Sequence, residues 1–147
     1  MTAGRAGSRI GPAPREASRG EVVTEKRAPR ILLAEDELLV AADIEVMLVE
    51  LGCEVVGPVA TVAEVECLAG AEPLDCALLD VNLRDEQVFS AVPALHARKI
   101  PVVLSSGYQS PALFPQEFRA LPVLVKPYDR AELAALLRAA CGFRDLT

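Results

Sequence analysis

The chain has 147 residues, 52% of them hydrophobic and none Trp, with a formal net charge of −6. That length holds one domain with an ordinary core, and it contains no run of about 18 apolar residues that would cross a membrane. Residues 1–30 carry seven basic side chains against three acidic and lack the apolar stretch of a secretory signal, so the remainder is strongly acidic and ill suited to nucleic acid.

The leader, residues 1–29, is rich in Gly and Pro, has no periodic apolar pattern and reads as disordered and basic. From residue 30 short apolar runs alternate with amphipathic stretches. The first strand is predicted over 30–34 and a first helix over about 37–51, with Leu39, Ile44, Met47, Leu48 and Leu51 inward and Gly52 as its stop. A second strand covers 54–57, and Thr61 caps a second helix to about 68. The third strand, 76–79, is uninterrupted apolar sequence, as expected where both faces of a sheet are covered. A third helix is predicted over about 86–98, a fourth strand over 101–104, and a short fourth helix between Pro111 and Ala120. The fifth strand is 123–125. The fifth helix starts at the capping box Asp129-x-x-Glu132, buries Leu133, Leu136, Leu137 and Ala140, and stops at Gly142, leaving 143–147 as a C-terminal tail.

Five βα units predict an α/β fold of the flavodoxin-like (βα)5 type, a doubly wound sheet of five parallel strands in the order 2-1-3-4-5. Strands one and three are then central neighbours, and their carboxyl ends form the crevice where such folds bind ligands. Glu35, Asp36 and Asp80 fall at those ends, Ser106 follows strand four and Lys126 ends strand five. Carboxylates crowded in a partly dry crevice resist ionising unless a cation joins them. Mg²⁺ fits that need, with Asp36 and Asp80 as direct ligands, Glu35 direct or through water, and the backbone carbonyl of Asn82 within reach. A metal and the Lys126 ammonium together would neutralise a phosphoryl group, leaving Asp80 as the carboxylate that attacks phosphorus. Ser106 is preferred to Ser105 as the hydroxyl donor because it directly precedes Gly107. Four cysteines, Cys53, Cys67, Cys76 and Cys141, show no C-x-x-C pairing and read as reduced thiols of a cytoplasmic protein. The lone His96 reads as a surface or helix-end residue.

The segments AEDE (34–37), LLDVN (78–82), SSGY (105–108) and VKPY (125–128), in that order, resemble the receiver domain of two-component response regulators over residues 30–142. The resemblance implies that Asp80 is the phosphoacceptor, Glu35 and Asp36 the acid pair, Asn82 a metal ligand through its backbone, Ser106 the switch hydroxyl and Lys126 the phosphate-binding lysine. It also implies a cis bond before Pro127. The strand-five aromatic usual in the family is replaced by Val123. Tyr108 resembles the Gly-Tyr turn of a subset of receivers that lack that aromatic, which makes it a second switch residue. The prolines bracketing the fourth helix would leave the usual partner-binding face irregular.

The implied function is a stand-alone receiver that takes a phosphoryl group on Asp80 from a sensor histidine kinase or histidine phosphotransfer protein, with Mg²⁺, and signals by protein contact or phosphorelay. Such a protein is not an enzyme beyond catalysing its own phosphorylation and dephosphorylation, binds no DNA directly, is cytoplasmic and admits a homodimer. A receiver-like interaction module working without phosphorylation is the alternative, but it would be expected to lose the acid pair or the lysine. An aspartyl-phosphatase would often carry an acid where Asn82 stands, and a nucleotide or flavin binder would not place AEDE in its first phosphate-binding turn.

Overall fold

The computed structural model describes residues 27–107 and 111–147; residues 1–26 of the leader, and Tyr108, lie outside the described residues. In chain order the elements are β1 (Arg30–Ala34), α1 (Leu38–Glu50), β2 (Glu54–Val59), α2 (Val62–Ala71), β3 (Cys76–Asp80), β4 (Asn82–Leu83), β5 (Glu86–Gln87), α3 (Val92–Ala97), β6 (Val102–Ser106), β7 (Val123–Val125) and α4 (Arg130–Cys141). The main sheet runs β2-β1-β3-β6-β7, all parallel, which is the predicted 2-1-3-4-5 order of its five strands. It is a flavodoxin-like α/β fold.

Both faces of the sheet are covered, which explains why β3 and β6 are buried at every position. On one face Leu32, Ala77, Leu79 and Leu104 pack with Val65 of α2 and Leu95 of α3. On the other, Ile31, Leu78 and Val103 pack with Leu48 of α1 and Leu137 of α4. The alternation along each strand divides the two cores. At the opposite edge from the predicted crevice, Arg30 gathers the strand starts: its guanidinium meets Glu54 at 2.6 Å and Glu72 at 2.8 Å, and its N–H donates to Asp75 at 2.8 Å.

Helix α1 buries Ala41, Ile44 and Leu48, spaced for a single stripe, while Leu39 is 81% exposed and Leu38 is 82% exposed. The expectation that Leu39 faces the core is thus corrected; two positions before Ala41, it lies about 200° round the helix, on the solvent face. Gly52 follows with φ +91 and Gly57 in β2 has φ +102. A side chain at Gly57 would also press to 2.9 Å from the Leu33 carbonyl, so β1 and β2 approach there only because Gly is present.

The third helix differs most from expectation. In place of a helix over 86–98, β4 and β5 form a hairpin whose two connecting residues, Arg84 (φ 49) and Asp85 (φ 68), both have positive φ. That is the requirement of the tight turn that matches strand twist. A 3-10 turn, Val88–Ala91, follows, and only Val92–Ala97 is α-helical, with Pro93 in its first turn.

No α-helix forms between Pro111 and Ala120. Two 3-10 turns, Pro111–Leu113 and Gln116–Phe118, replace it, since each proline removes a helical donor. Their anchor is aromatic: Phe89 stacks on Phe118 with centroids 5.1 Å apart and tilts against Phe114 at 5.2 Å. Residues 143–147 fold back, with Leu146 buried and the Thr147 N–H donating to the Leu51 carbonyl at 2.9 Å.

Helix α4 carries the predicted capping box, Asp129 accepting from the Glu132 N–H at 2.8 Å and Glu132 from the Asp129 N–H at 2.9 Å. Gly142 ends it with φ 72. Asp129→Ala is expected to cost about 1 kcal/mol, against roughly 2–5 kcal/mol for Leu137→Ala at the buried face, both read from urea unfolding midpoints. Equal losses would contradict the reading that α4 is held chiefly by burial.

Candidate functional site

The carboxyl ends of β1, β3, β6 and β7 bring the acidic and basic residues together because parallel strands all present the same end to one edge. Glu35 follows β1 directly, and its N–H donates to the Val59 carbonyl at 2.9 Å, which fixes it beside the end of β2. It is 3% exposed. Its Oε2 accepts from the Glu37 N–H at 3.1 Å and its Oε1 from Lys126 Nζ at 2.8 Å. Lys126 Nζ also donates to Asp80 Oδ2 at 3.1 Å. One ammonium thus bridges two carboxylates.

Asp80, the last residue of β3, is 9% exposed. Burial pushes its carboxyl up from the ordinary 3.8 to about 6; the Lys126 charge opposes this and the Glu35 charge adds to it. For Lys126, burial acts to lower the pKa, but the hydrogen bond to Glu35 and the charge of Asp80 outweigh it and leave the value raised. Asp36 accepts from the Arg84 N–H at 2.9 Å, which ties it to the hairpin turn after β3. Oxygen atoms of Glu35, Asp36 and Asp80 all lie within 4.8 Å of one another. Two oxygens on opposite sides of one Mg²⁺ stand about 4.2 Å apart, so the hard-donor set fits that ion with small adjustment.

Ser106, the last residue of β6, is buried, and its carbonyl accepts from the Lys126 N–H at 2.9 Å. The Lys126–Pro127 bond is cis. Ser105 is paired in register with Asp80. Among the described residues, its hydroxyl and that of Tyr128 are both buried without a hydrogen-bond partner. Burial, first of all, raises the Tyr128 pKa. Asn82 is exposed in the hairpin, paired with Gln87, and Val123 lies part-buried in β7 against the α2–α3 core. The roles of Arg84 and Tyr128 were not foreseen. VKPY marked Tyr128 as part of a motif, but the Arg84 contribution is a backbone donor and leaves no trace in residue type.

No protein-family model matches the chain. Over 122 residues it is 30% identical to the transcriptional regulatory protein PdtaR of Mycobacterium tuberculosis, a match covering 80% of this chain and 60% of that protein's length. Among solved structures, SdrG from Sphingomonas melonis Fr1 is 38% identical with a TM-score of 0.67, covering 76% of this chain and 95% of SdrG. The receiver domain of the sensor histidine kinase PA1611 from Pseudomonas aeruginosa PAO1, which has a magnesium ion coordinated in its active site cleft, is 28% identical with a TM-score of 0.66, covering 80% of this chain and 100% of that domain. The chain belongs to the receiver domains of two-component response regulators. This receiver thus has a role in two-component signalling. It spans about three-fifths of the length of the curated relatives it matches. Among the described residues no helix is long and apolar enough to cross a membrane.

The raised Asp80 pKa sets a pH dependence. The folded protein holds this proton more tightly than the unfolded chain, so the contribution is fully present below about pH 4 and is lost as pH rises through about 6. Without divalent cations, Asp80→Asn is therefore expected to be more stable than the parent at pH 8, by on the order of 1–3 kcal/mol, with the difference shrinking towards pH 4. Parallel denaturant titrations across that range check it; a difference that does not change with pH would contradict the assignment.

Proposed function

We propose that this receiver accepts a phosphoryl group on Asp80 from a phosphohistidine donor, a sensor histidine kinase or histidine phosphotransfer protein. The observation that carries the reading is Lys126 Nζ lying 3.1 Å from Asp80 and 2.8 Å from Glu35, beside a third carboxylate, at one sheet edge. Asp80 ends a rigid, buried strand, so its carboxylate is aimed without loop reorganisation. In the reaction an Asp80 oxygen bonds to phosphorus while the P–N bond of the donor imidazole breaks, and the imidazole nitrogen keeps the electron pair and takes up a proton. The product is an acyl phosphate on Asp80.

Glu35, Asp36, Asp80 and the Asn82 carbonyl are the groups we assign to hold Mg²⁺. When bound, that ion supplies positive charge against the phosphoryl oxygens. Lys126 exchanges part of its contact with Asp80 for a phosphoryl oxygen, remaining tied to Glu35. Ser106, buried at the adjacent strand end, is assigned to donate its hydroxyl to another, and Tyr108 is assigned the second switch position. The protein in this reading catalyses only its own phosphorylation and dephosphorylation, and passes the signal on by protein contact or phosphorelay.

Intact-protein mass spectrometry with acetyl phosphate as donor tests the assignment. One phosphoryl adduct is expected with Mg²⁺, none with EDTA or in Asp80→Asn, and a rate lowered by roughly ten- to a hundredfold in Lys126→Ala. An adduct that persists in Asp80→Asn would place the acceptor elsewhere. A folded protein that binds Mg²⁺ yet takes no phosphoryl group from either acetyl phosphate or a phosphorylated histidine donor would favour an interaction module working without phosphorylation.

A further inference from the structure

Three of the four cysteines, Cys53, Cys76 and Cys141, share the core between the sheet and helices α1 and α4. Cys76 opens the central strand β3 and is wholly buried, while Cys141, the last residue of α4, is part-exposed. Their sulfur atoms stand 2.8 Å apart across 65 positions of sequence. A disulfide bond is about 2.05 Å long, so closure asks for roughly 0.8 Å of movement. That movement falls at a helix end, where Gly142 already turns the chain with φ 72.

We propose that Cys76 and Cys141 form an oxidisable dithiol site, which a hydroperoxide converts to an intramolecular disulfide between β3 and α4. The two thiols are differentiated for this task. The Cys76 hydrogen bond lowers the Cys141 pKa, while that bond and burial raise the Cys76 pKa well above the ordinary thiol value. Cys141 is also the sulfur that solvent reaches, so it is the one that meets the oxidant. Cys53 differs, since burial pushes its thiol up to about 11. Cys67, on α2, is exposed and belongs to neither core.

The chemistry balances in two steps. The Cys141 thiolate attacks one peroxide oxygen, the O–O bond breaks, and the departing hydroxide takes a proton to leave as water, giving a sulfenic acid. The Cys76 sulfur then attacks the Cys141 sulfur, the S–O bond breaks, and the hydroxyl leaves with the Cys76 proton as a second water. Two thiols lose two electrons in all, and the hydrogen peroxide is reduced. A dithiol reductant reverses the change by exchange.

The experiment treats the full chain, carrying Cys67→Ser to remove the exposed thiol, with stoichiometric hydrogen peroxide, followed by alkylation in denaturant and non-reducing peptide mapping. Expected are loss of two hydrogens, one linked peptide pair joining Cys76 to Cys141, a raised thermal midpoint, and return of all three with dithiothreitol. Cys141→Ser should fold, by its circular dichroism, and show neither the link nor the midpoint shift. Cys76 and Cys141 both remaining alkylatable after peroxide would overturn the proposal, and so would a link through Cys53 or sulfinic acid accumulating on Cys141 without a disulfide.

Discussion

The ammonium of Lys126 is delivered by a three-residue edge strand to a point between Glu35 and Asp80, and the active edge depends on that placement. Two buried carboxylates beside a third would repel in a crevice of low polarisability, and the sheet would have to hold them together against that repulsion. The single cation offsets part of the cost, and its own raised pKa is the reciprocal sign of the same interaction. Asp80 nevertheless keeps a carboxyl pushed up to about 6, so the compensation is incomplete. That residual unfavourable energy is what a divalent cation would relieve.

Much of this was legible in the sequence because the central strands are continuous apolar runs ending in charged residues. A strand covered on both faces cannot carry a charge internally, so Asp80 had to mark an end. Capping chemistry was equally plain at Asp129 and Glu132. The errors came where local pattern and tertiary contact disagree. Residues 86–91 contain helix-compatible side chains, yet Glu86 and Gln87 serve the hairpin whose Arg84 N–H holds Asp36, and Val88–Ala91 form a 3-10 turn. Leu39 satisfies a loose helical period but falls outside the stripe of Ala41, Ile44 and Leu48. The fourth helix fails for a reason that is in the sequence, its prolines, while what holds the segment in its place, the contacts of Phe89 with Phe114 and Phe118, joins residues too far apart in sequence to be read together.

Strand β3 carries two chemistries of opposite character. Its carboxyl end presents a hard oxygen donor in a charged crevice, and its amino end presents a sulfur atom in an apolar layer. Four residue steps separate Asp80 from Cys76, about 13 Å along the strand. The same strand is hydrogen-bonded on both sides, to β1 and to β6, which gives both groups a stiff support. Helix α4 is linked to both ends: it leaves from the segment just after Lys126 and finishes against Cys76.

The two outer strands of the sheet also shape how the molecule meets others. On one side β2 includes Pro58, which has no N–H to offer a further strand, and its register with β1 is interrupted between Leu32 and Ala34. On the other, β7 is three residues long and is flanked by Pro122 and Pro127. Both borders of the sheet are thus poor templates for strand addition, the route by which exposed β-edges nucleate fibrils and swapped dimers. A chain with such a high apolar content gains resistance to self-association from these few residues, and the surfaces left open to recognition are those of its helices and loops.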